Sequence, residues 1–505
     1  MSRLRKLALN TFSNMSITAI SALVNLAIIP VFISSYGKEL YGVYLLAMGF
    51  TGILFSFDLG TSRGLSRFAA EFSANKDVAR FSKAVTINCV LLLVFGIISA
   101  FLLIGMADIL PIMFKVAPQL HHESTQIFRL IGVLIFFSWL SKLPVGILEG
   151  FQAYYIKNMF EGISILTNIV LAILIIRHNL AFLTYIKVTI VVKLLVDLLG
   201  AYYIYSKRLI EGVKLDIRAL HFADVKSEFA KYSLSLFLLQ MASMLMFQAD
   251  KIIIGSLLSV SSVTLYHVIS RPMYLLRTLN NIIFSALSPV IAKEHEKGDQ
   301  AFIKCIIYSI SKVHFLVIVP LALLFMFYMK VLFHYWLPAE YIQYTFYASL
   351  FCAVYLVTPL FGAIYTALVS IGKMKELVKF NILASVCNAL ITIPLVMYFG
   401  VAGAVIATIL QYYVSAAYYC RLGVRLLDLS LVDFFKYAFN KNVILIIVMI
   451  AVNAILANKL DMIFMANIIM VLTLNIVIIF MVAYLVILTA DERSQLVQAV
   501  KIKLG

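Results

Sequence analysis

Eight basic side chains lie inside long apolar stretches of this sequence: Arg129, Lys142, Lys187, Lys193, Lys251, Arg271, Arg277 and Lys312. Acidic residues at similar depth are fewer. Asp197 and Asp250 lie deep, and Asp58 and Glu161 lie nearer the edges. A charge at the centre of a hydrophobic layer costs at least about 2.5–3.5 kcal/mol on insertion scales, so each of these groups is a candidate for function. An excess of cations suits the binding of an anion. Charge-assisted hydrogen bonds hold its oxygens, and arginine adds a planar fork that matches them in pairs.

The richest cluster falls in the stretch 262–288. Arg277 sits near its middle, and helical spacing puts Tyr274, Asn280 and Asn281 on the same face. His267 and Arg271 form a second pair one turn apart. A structural use stays open for Arg277, which could hydrogen-bond carbonyls of a neighbouring helix. Upstream, Gln240, Met244, Gln248 and Lys251 make one stripe with Asp250 beside it; Asp250 either balances Lys251 or takes part in cation coupling. Asp58 is a second candidate for coupling. Arg63 and Arg67, which follow it, either gather an anionic headgroup or anchor the chain at the membrane surface. Lys193 and Asp197 stand at i,i+4 and most simply pair with each other.

The elements that must position these groups are membrane helices. The 505 residues are 63% hydrophobic and 13% charged, about half the charged share of a soluble domain. Spanning a bilayer takes about 20 apolar residues. Such stretches run near 10–34, 39–60, 84–106, 124–148, 157–176, 181–206, 232–257 and 262–288. Others run near 302–327, 343–369, 376–398, 400–421, 441–457 and 464–488. The second is interrupted by charge and the thirteenth is short, so the sequence predicts an all-α polytopic protein of 12–14 transmembrane helices. The first apolar stretch lacks a small-residue cleavage pattern and does not read as a leader. Five scattered cysteines, with no CxxC, predict neither a disulfide nor a metal site, and no cofactor motif is present.

The net charge of +17 is a topology signal. With the N-terminus inside, the inward loops hold 28 Lys and Arg against 5 in the outward loops. Both termini and the linker 207–231, part of it an amphipathic helix, are therefore expected in the cytoplasm. The surplus attracts anionic lipid headgroups and is not a nucleic-acid footprint. The linker divides the first twelve helices into two six-helix lobes, 1–206 and 232–422, and 423–505 adds two helices and a tail. The halves align with a shift near 220 residues: Tyr44–Glu71 falls over Tyr266–Glu294, and Asn168 over Asn388. Six helices per half make the repeat parallel, with its pseudo-two-fold axis along the membrane normal, as in two-lobe transporters that rock.

The stretches IIPVFISSYGKELYGVYLLAMGF and FDLGTSRGLSRFAAEF resemble the helix 1–2 signature of bacterial polysaccharide flippases, within the multidrug/oligosaccharidyl-lipid/polysaccharide exporter superfamily. FQADKIIIGSLLSVSSVTLY, SALSPVIAKE and FGVAGAVIAT are similar to later parts of the same pattern, so the resemblance covers about 10–425. It implies translocation of undecaprenyl-pyrophosphate-linked oligosaccharide across the inner membrane for surface polysaccharide, by alternating access and without ATP hydrolysis. The deep cations, with Arg277, Arg271 and Lys251 foremost, would then hold the diphosphate in an electropositive cavity between the lobes. The amides, Tyr274 and His267 would meet phosphate and sugar, and H+ or Na+ could couple the cycle in a protein acting as a monomer. A multidrug antiporter of the same superfamily is the alternative, but a pump for organic cations calls for carboxylates in its cavity. A membrane polymerase or glycosyltransferase would call for a long outward loop, and every outward loop here is short.

The charge asymmetry generates a first test. Single cysteines introduced within 210–225 should resist membrane-impermeant maleimide added from outside; efficient labelling there would invert the topology.

Overall fold

The computed structural model describes residues 3–58, 61–215, 241, 248–285, 287–439, 441–459 and 465–487. Every regular element among them is helical. Most of the linker 207–231, most of the seventh apolar stretch (with Gln240 and Met244) and the tail beyond 487 lie outside the described residues.

The first helix, α1 (Arg3–Phe55), has 53 residues. At 1.5 Å per residue it would run about 80 Å if straight, more than twice the bilayer core of about 30 Å. It is broken at Gly37, whose φ of 76° and ψ of 163° are open to a residue without a Cβ. The break separates the first two apolar stretches read from the sequence. Next come α2 (Thr61–Asn75), α3 (Val78–Gly105), α4 (His121–Leu140) and α5 (Lys142–Gly150). They are followed by α6 (Tyr154–His178), α7 (Phe182–Ser206), α8 (Val260–Ser285) and α9 (Ser288–Glu296). Beyond these lie α10 (Gln300–Trp336), α11 (Thr345–Cys352), α12 (Val354–Ser370), α13 (Met374–Phe399) and α14 (Val401–Leu427). Three more close the series: α15 (Leu431–Phe439), α16 (Asn442–Lys459) and α17 (Met465–Val482).

Ten helical stretches among the described residues are long and apolar enough to cross a membrane, or eleven if the bent pair Leu431–Tyr437 and Asn442–Ala457 makes one span. The number falls below 12–14 for physical reasons. The run Ser13–Asp58, although bent at Gly37 and long enough for two spans, counts once. The 25-residue α7 carries Lys187, Lys193 and Asp197, and the seventh stretch is described only in part.

The chain packs as two compact units: Met1–Val268 with Lys375–Ala404, and Ile269–Met374 with Val405–Gly505. This division groups α13 and the opening turns of α8 with the N-terminal helices. In the first unit an apolar core joins α2, α3 and α5 through Leu65, Phe68, Phe72, Phe81, Ile147 and Leu148. In the second, α10 packs on α16 and α17 through Phe315, Leu323, Leu445, Met449 and Ile478. Asn453 of α16 and Asn475 of α17 exchange amide hydrogen bonds of 2.8 and 2.9 Å, and the Tyr328 hydroxyl donates to Asn453 Oδ1 at 2.7 Å. Tyr328 sits at a kink in α10. All five cysteines are free.

Gly150 lies where α5 touches α2, and a Cβ there would run into the Ala69 methyl and the Ser66 carbonyl. Gly150→Val should cost about 1–3 kcal/mol through overpacking and lower the thermal midpoint in detergent. An unchanged midpoint would refute the close approach of the two helices.

Candidate functional site

In the first unit the polar residues gather around Asp250, which is 1% exposed. Its neighbourhood is formed by the helical stretch 248–257, the first turns of α8, α13 and the second half of α1. The Tyr266 hydroxyl donates to Asp250 Oδ2 at 2.6 Å, and the Thr392 hydroxyl lies 3.5 Å from Oδ1. Lys251 Nζ donates to Gln248 Oε1 at 3.1 Å, and Gln248 in turn lies against Gly52 of α1. Two further links fix α8 to α1. The Thr264 hydroxyl donates to the Lys38 carbonyl at 2.7 Å, and the Tyr41 hydroxyl meets His267 Nε2 at 3.2 Å. Gly42 makes the approach possible, since a Cβ there would strike the Val260 carbonyl. One turn before Thr392, the buried amide of Asn388 has no hydrogen-bond partner among the described residues.

Several of the deep cations are already answered by carboxylates in this unit. Lys142 Nζ lies 3.1 Å from Asp58 Oδ2 and is caged by the rings of Trp139 and Phe55, 4.1 and 4.7 Å from their centroids. Lys193 and Asp197 pair at 3.8 Å as their spacing predicts, and the Ser141 hydroxyl donates to Asp197 at 2.6 Å. Arg129 departs from the sequence reading. Although it lies within an apolar stretch, its guanidinium reaches Asp108 through contacts of 2.9 and 3.0 Å, and both side chains are exposed. In the middle of α2, Arg67 pairs with Glu71 at 3.0 Å. The Arg63 side chain lies outside the described residues.

In the second unit α8 presents the other predicted residues. The Arg271 guanidinium stacks over the Tyr274 ring at 5.1 Å. Arg277, half-buried, interacts electrostatically with the buried hydroxyl groups of Tyr355 and Tyr412. Asn280 is half-buried, and its buried Oδ1 has no partner among the described residues, whereas Asn281 is exposed. The predicted residues are thus divided: Asp58, Lys251, Asp250 and His267 belong to the first unit, and Arg271, Tyr274, Arg277, Asn280 and Asn281 to the second. Among the described residues no cluster of His, Cys, Asp and Glu could hold a metal ion.

The sequence reading did not select Thr392, Tyr266, Tyr355 or Tyr412, because hydroxyls in apolar helices carry no insertion penalty large enough to draw notice. It also passed over His314. This residue is fully buried, with the Phe284 ring centroid 4.7 Å from its own and no hydrogen-bond partner at either ring nitrogen among the described residues.

A chain whose described regular elements are all helical, with ten or eleven stretches long and apolar enough to span, is a polytopic membrane protein, and its fold is shared with known transporters. It aligns with a structure titled "Lipid II flippase MurJ, inward closed conformation" at a TM-score of 0.71 and 14% identity, covering 93% of this chain and 97% of that one. A second, an inward-facing multidrug resistance MATE family transporter of the MOP superfamily, aligns at a TM-score of 0.68 and 16% identity, covering 83% and 98%. In sequence, a protein of Shigella flexneri described as "Putative O-antigen transporter" is 24% identical over 204 residues, 40% of this chain. The chain spans about half, 48%, of the length of that curated relative. The family described as "Polysaccharide biosynthesis protein" matches residues 7–295, more than half of the chain. The chain belongs to that family.

The Asp58–Lys142 pair can be tested as a unit. Asp58→Asn leaves an ammonium in an apolar cage and should cost about 1–3 kcal/mol, while Lys142→Met added to it should recover most of the loss. Thermal midpoints of the singles and the double measure this; a double variant less stable than both singles would show that the pair is not the reason for the burial.

Proposed function

We propose that this protein is a flippase that moves undecaprenyl-pyrophosphate-linked oligosaccharide across the inner membrane by alternating access, with both termini in the cytoplasm. The observation that carries the reading is Arg277: a half-buried guanidinium about two-thirds of the way along the 26-residue α8, whose field reaches Tyr355 and Tyr412. A phosphate at this helix would accept the paired N–H donors of the guanidinium through charge-assisted hydrogen bonds. Arg271 serves the same anion in this reading, and Asn280, whose Oδ1 lacks a partner among the described residues, accepts from a sugar hydroxyl. The family match and the name of the Shigella relative support a substrate of surface polysaccharide synthesis.

Asp250 is the residue we assign to coupling by H+ or Na+. It is a buried carboxylate that accepts from the Tyr266 hydroxyl, with the Thr392 hydroxyl 3.5 Å away, and a buried carboxylate is a group that a proton or Na+ would engage. The multidrug reading is weaker on a specific point. A pump for organic cations needs carboxylates facing its cargo, and two of the four singled out within the apolar stretches, Asp58 and Asp197, already answer Lys142 and Lys193.

The test is surface polysaccharide in a strain lacking the gene and carrying Arg277 variants at matched membrane levels. Arg277→Ala should lose most polysaccharide, at least tenfold, and Arg277→Lys should retain a part because it keeps the charge and loses the fork. Full polysaccharide from a well-expressed Arg277→Ala would remove the assignment.

A further inference from the structure

The second unit carries a groove of about 690 Å³ between α12, α14 and α15. Val357, Leu360, Ala416, Val424, Leu431 and Phe435 form its walls, and Arg421 and Arg425 edge it. The helices behind it are tightly joined. Gly423 tucks against Ile364 and Leu429, and the Cys420 thiol approaches the Leu360 carbonyl at 3.5 Å. Tyr413, Val424 and Phe435 remain 44%, 41% and 42% exposed, so the groove keeps a large apolar surface with no protein cover among the described residues.

The two arginines mark its occupant. They lie one turn apart in the last two turns of α14, which ends at Leu427, within about 9 Å of the helix end along its axis. That is the depth of lipid headgroups. Both are exposed, and among the described residues neither makes an ion pair or a hydrogen bond. The nearest acidic residue in sequence, Asp428, is committed to Lys304 Nζ at 2.8 Å, and Asp433 on α15 is exposed and forms no ion pair among the described residues. An arginine that merely extends to the membrane surface needs only its own helix. Here two of them flank a concave apolar surface whose volume falls in the range of ligand sites, roughly 300–1,000 Å³.

We propose that this groove binds an anionic phospholipid of the leaflet that faces the basic loops, one acyl chain along α12 and α14 and the phosphate between Arg421 and Arg425. Basic pockets between membrane helices on the cytoplasmic side recognise lipids in this way. The walls have little that could read a sugar: apart from the two guanidinium groups, the Tyr413 hydroxyl and the Cys420 thiol are the polar side-chain groups lining the groove. A diacyl lipid therefore fits better than the oligosaccharide carrier, and the site stands whether or not the flippase reading does.

Purified full-length protein, delipidated in detergent and probed by native mass spectrometry, tests this with phosphatidylglycerol, phosphatidylethanolamine and undecaprenyl phosphate offered separately and in competition. Phosphatidylglycerol should be retained over phosphatidylethanolamine, and its affinity should fall with added salt. R421A/R425A should lower that affinity roughly 25-fold, about fivefold per guanidinium. Ala417→Trp, which fills the groove and leaves both charges, should lower it as well, so that a misfolded arginine variant does not end the test. Equal retention of the two phospholipids, no salt dependence, or undiminished binding in both folded variants would overturn the proposal. Displacement of phosphatidylglycerol by equimolar undecaprenyl phosphate would also overturn it and assign the groove to the carrier.

Discussion

Hydrocarbon supplies neither hydrogen-bond partners nor a dielectric that shields charge, and the placement of nearly every polar group in this protein follows from that. Threonine hydroxyls turn back onto carbonyls one turn earlier in their own helices, as Thr86 does to Ser82 and Thr167 to Ile163. The indole of Trp139 donates to Ser99 at 3.1 Å across a helix contact, and Asn158 donates to Ser13 and Asn14 at 2.6 and 2.7 Å.

The two units handle their cations differently. In the first, carboxylates answer Lys142 and Lys193 directly, Asp58 from a distant part of the chain and Asp197 from one turn along the same helix. In the second, aromatic residues receive them: Tyr274 lies under Arg271, Tyr437 lies 5.3 Å from Lys312, and Tyr355 and Tyr412 neighbour Arg277. A carboxylate cancels a charge, whereas a ring or a phenol steadies it and leaves its field in place.

Helix positions were legible because hydropathy acts residue by residue along the chain. The break at Gly37 was visible as Tyr36–Gly37 between two apolar runs, and Lys193–Asp197 could be paired from spacing alone. What could not be read were partners brought together by packing. Asp58 and Lys142 are 84 positions apart, and Asp250 and Thr392 are 142 apart. Arg129 was misjudged for a different reason. A window average assigns depth to a backbone position, but a long side chain can leave that depth and reach a loop, as this one does to Asp108. His314 shows the remaining blind spot, since an uncharged ring in an apolar helix raises no signal until its surroundings are seen.

The amide exchange between Asn453 and Asn475 bears on how the protein is made. Each carboxamide also donates to its own helix, Asn453 to the Met449 carbonyl and Asn475 to the Val471 carbonyl, both through the same nitrogen that bridges the pair. Without α16, α17 would present a bare Asn475 oxygen to lipid as it leaves the translocon, whereas Asn453 of α16 also accepts from the Tyr328 hydroxyl of α10. The last two helices are therefore best released into the bilayer together, as a hairpin.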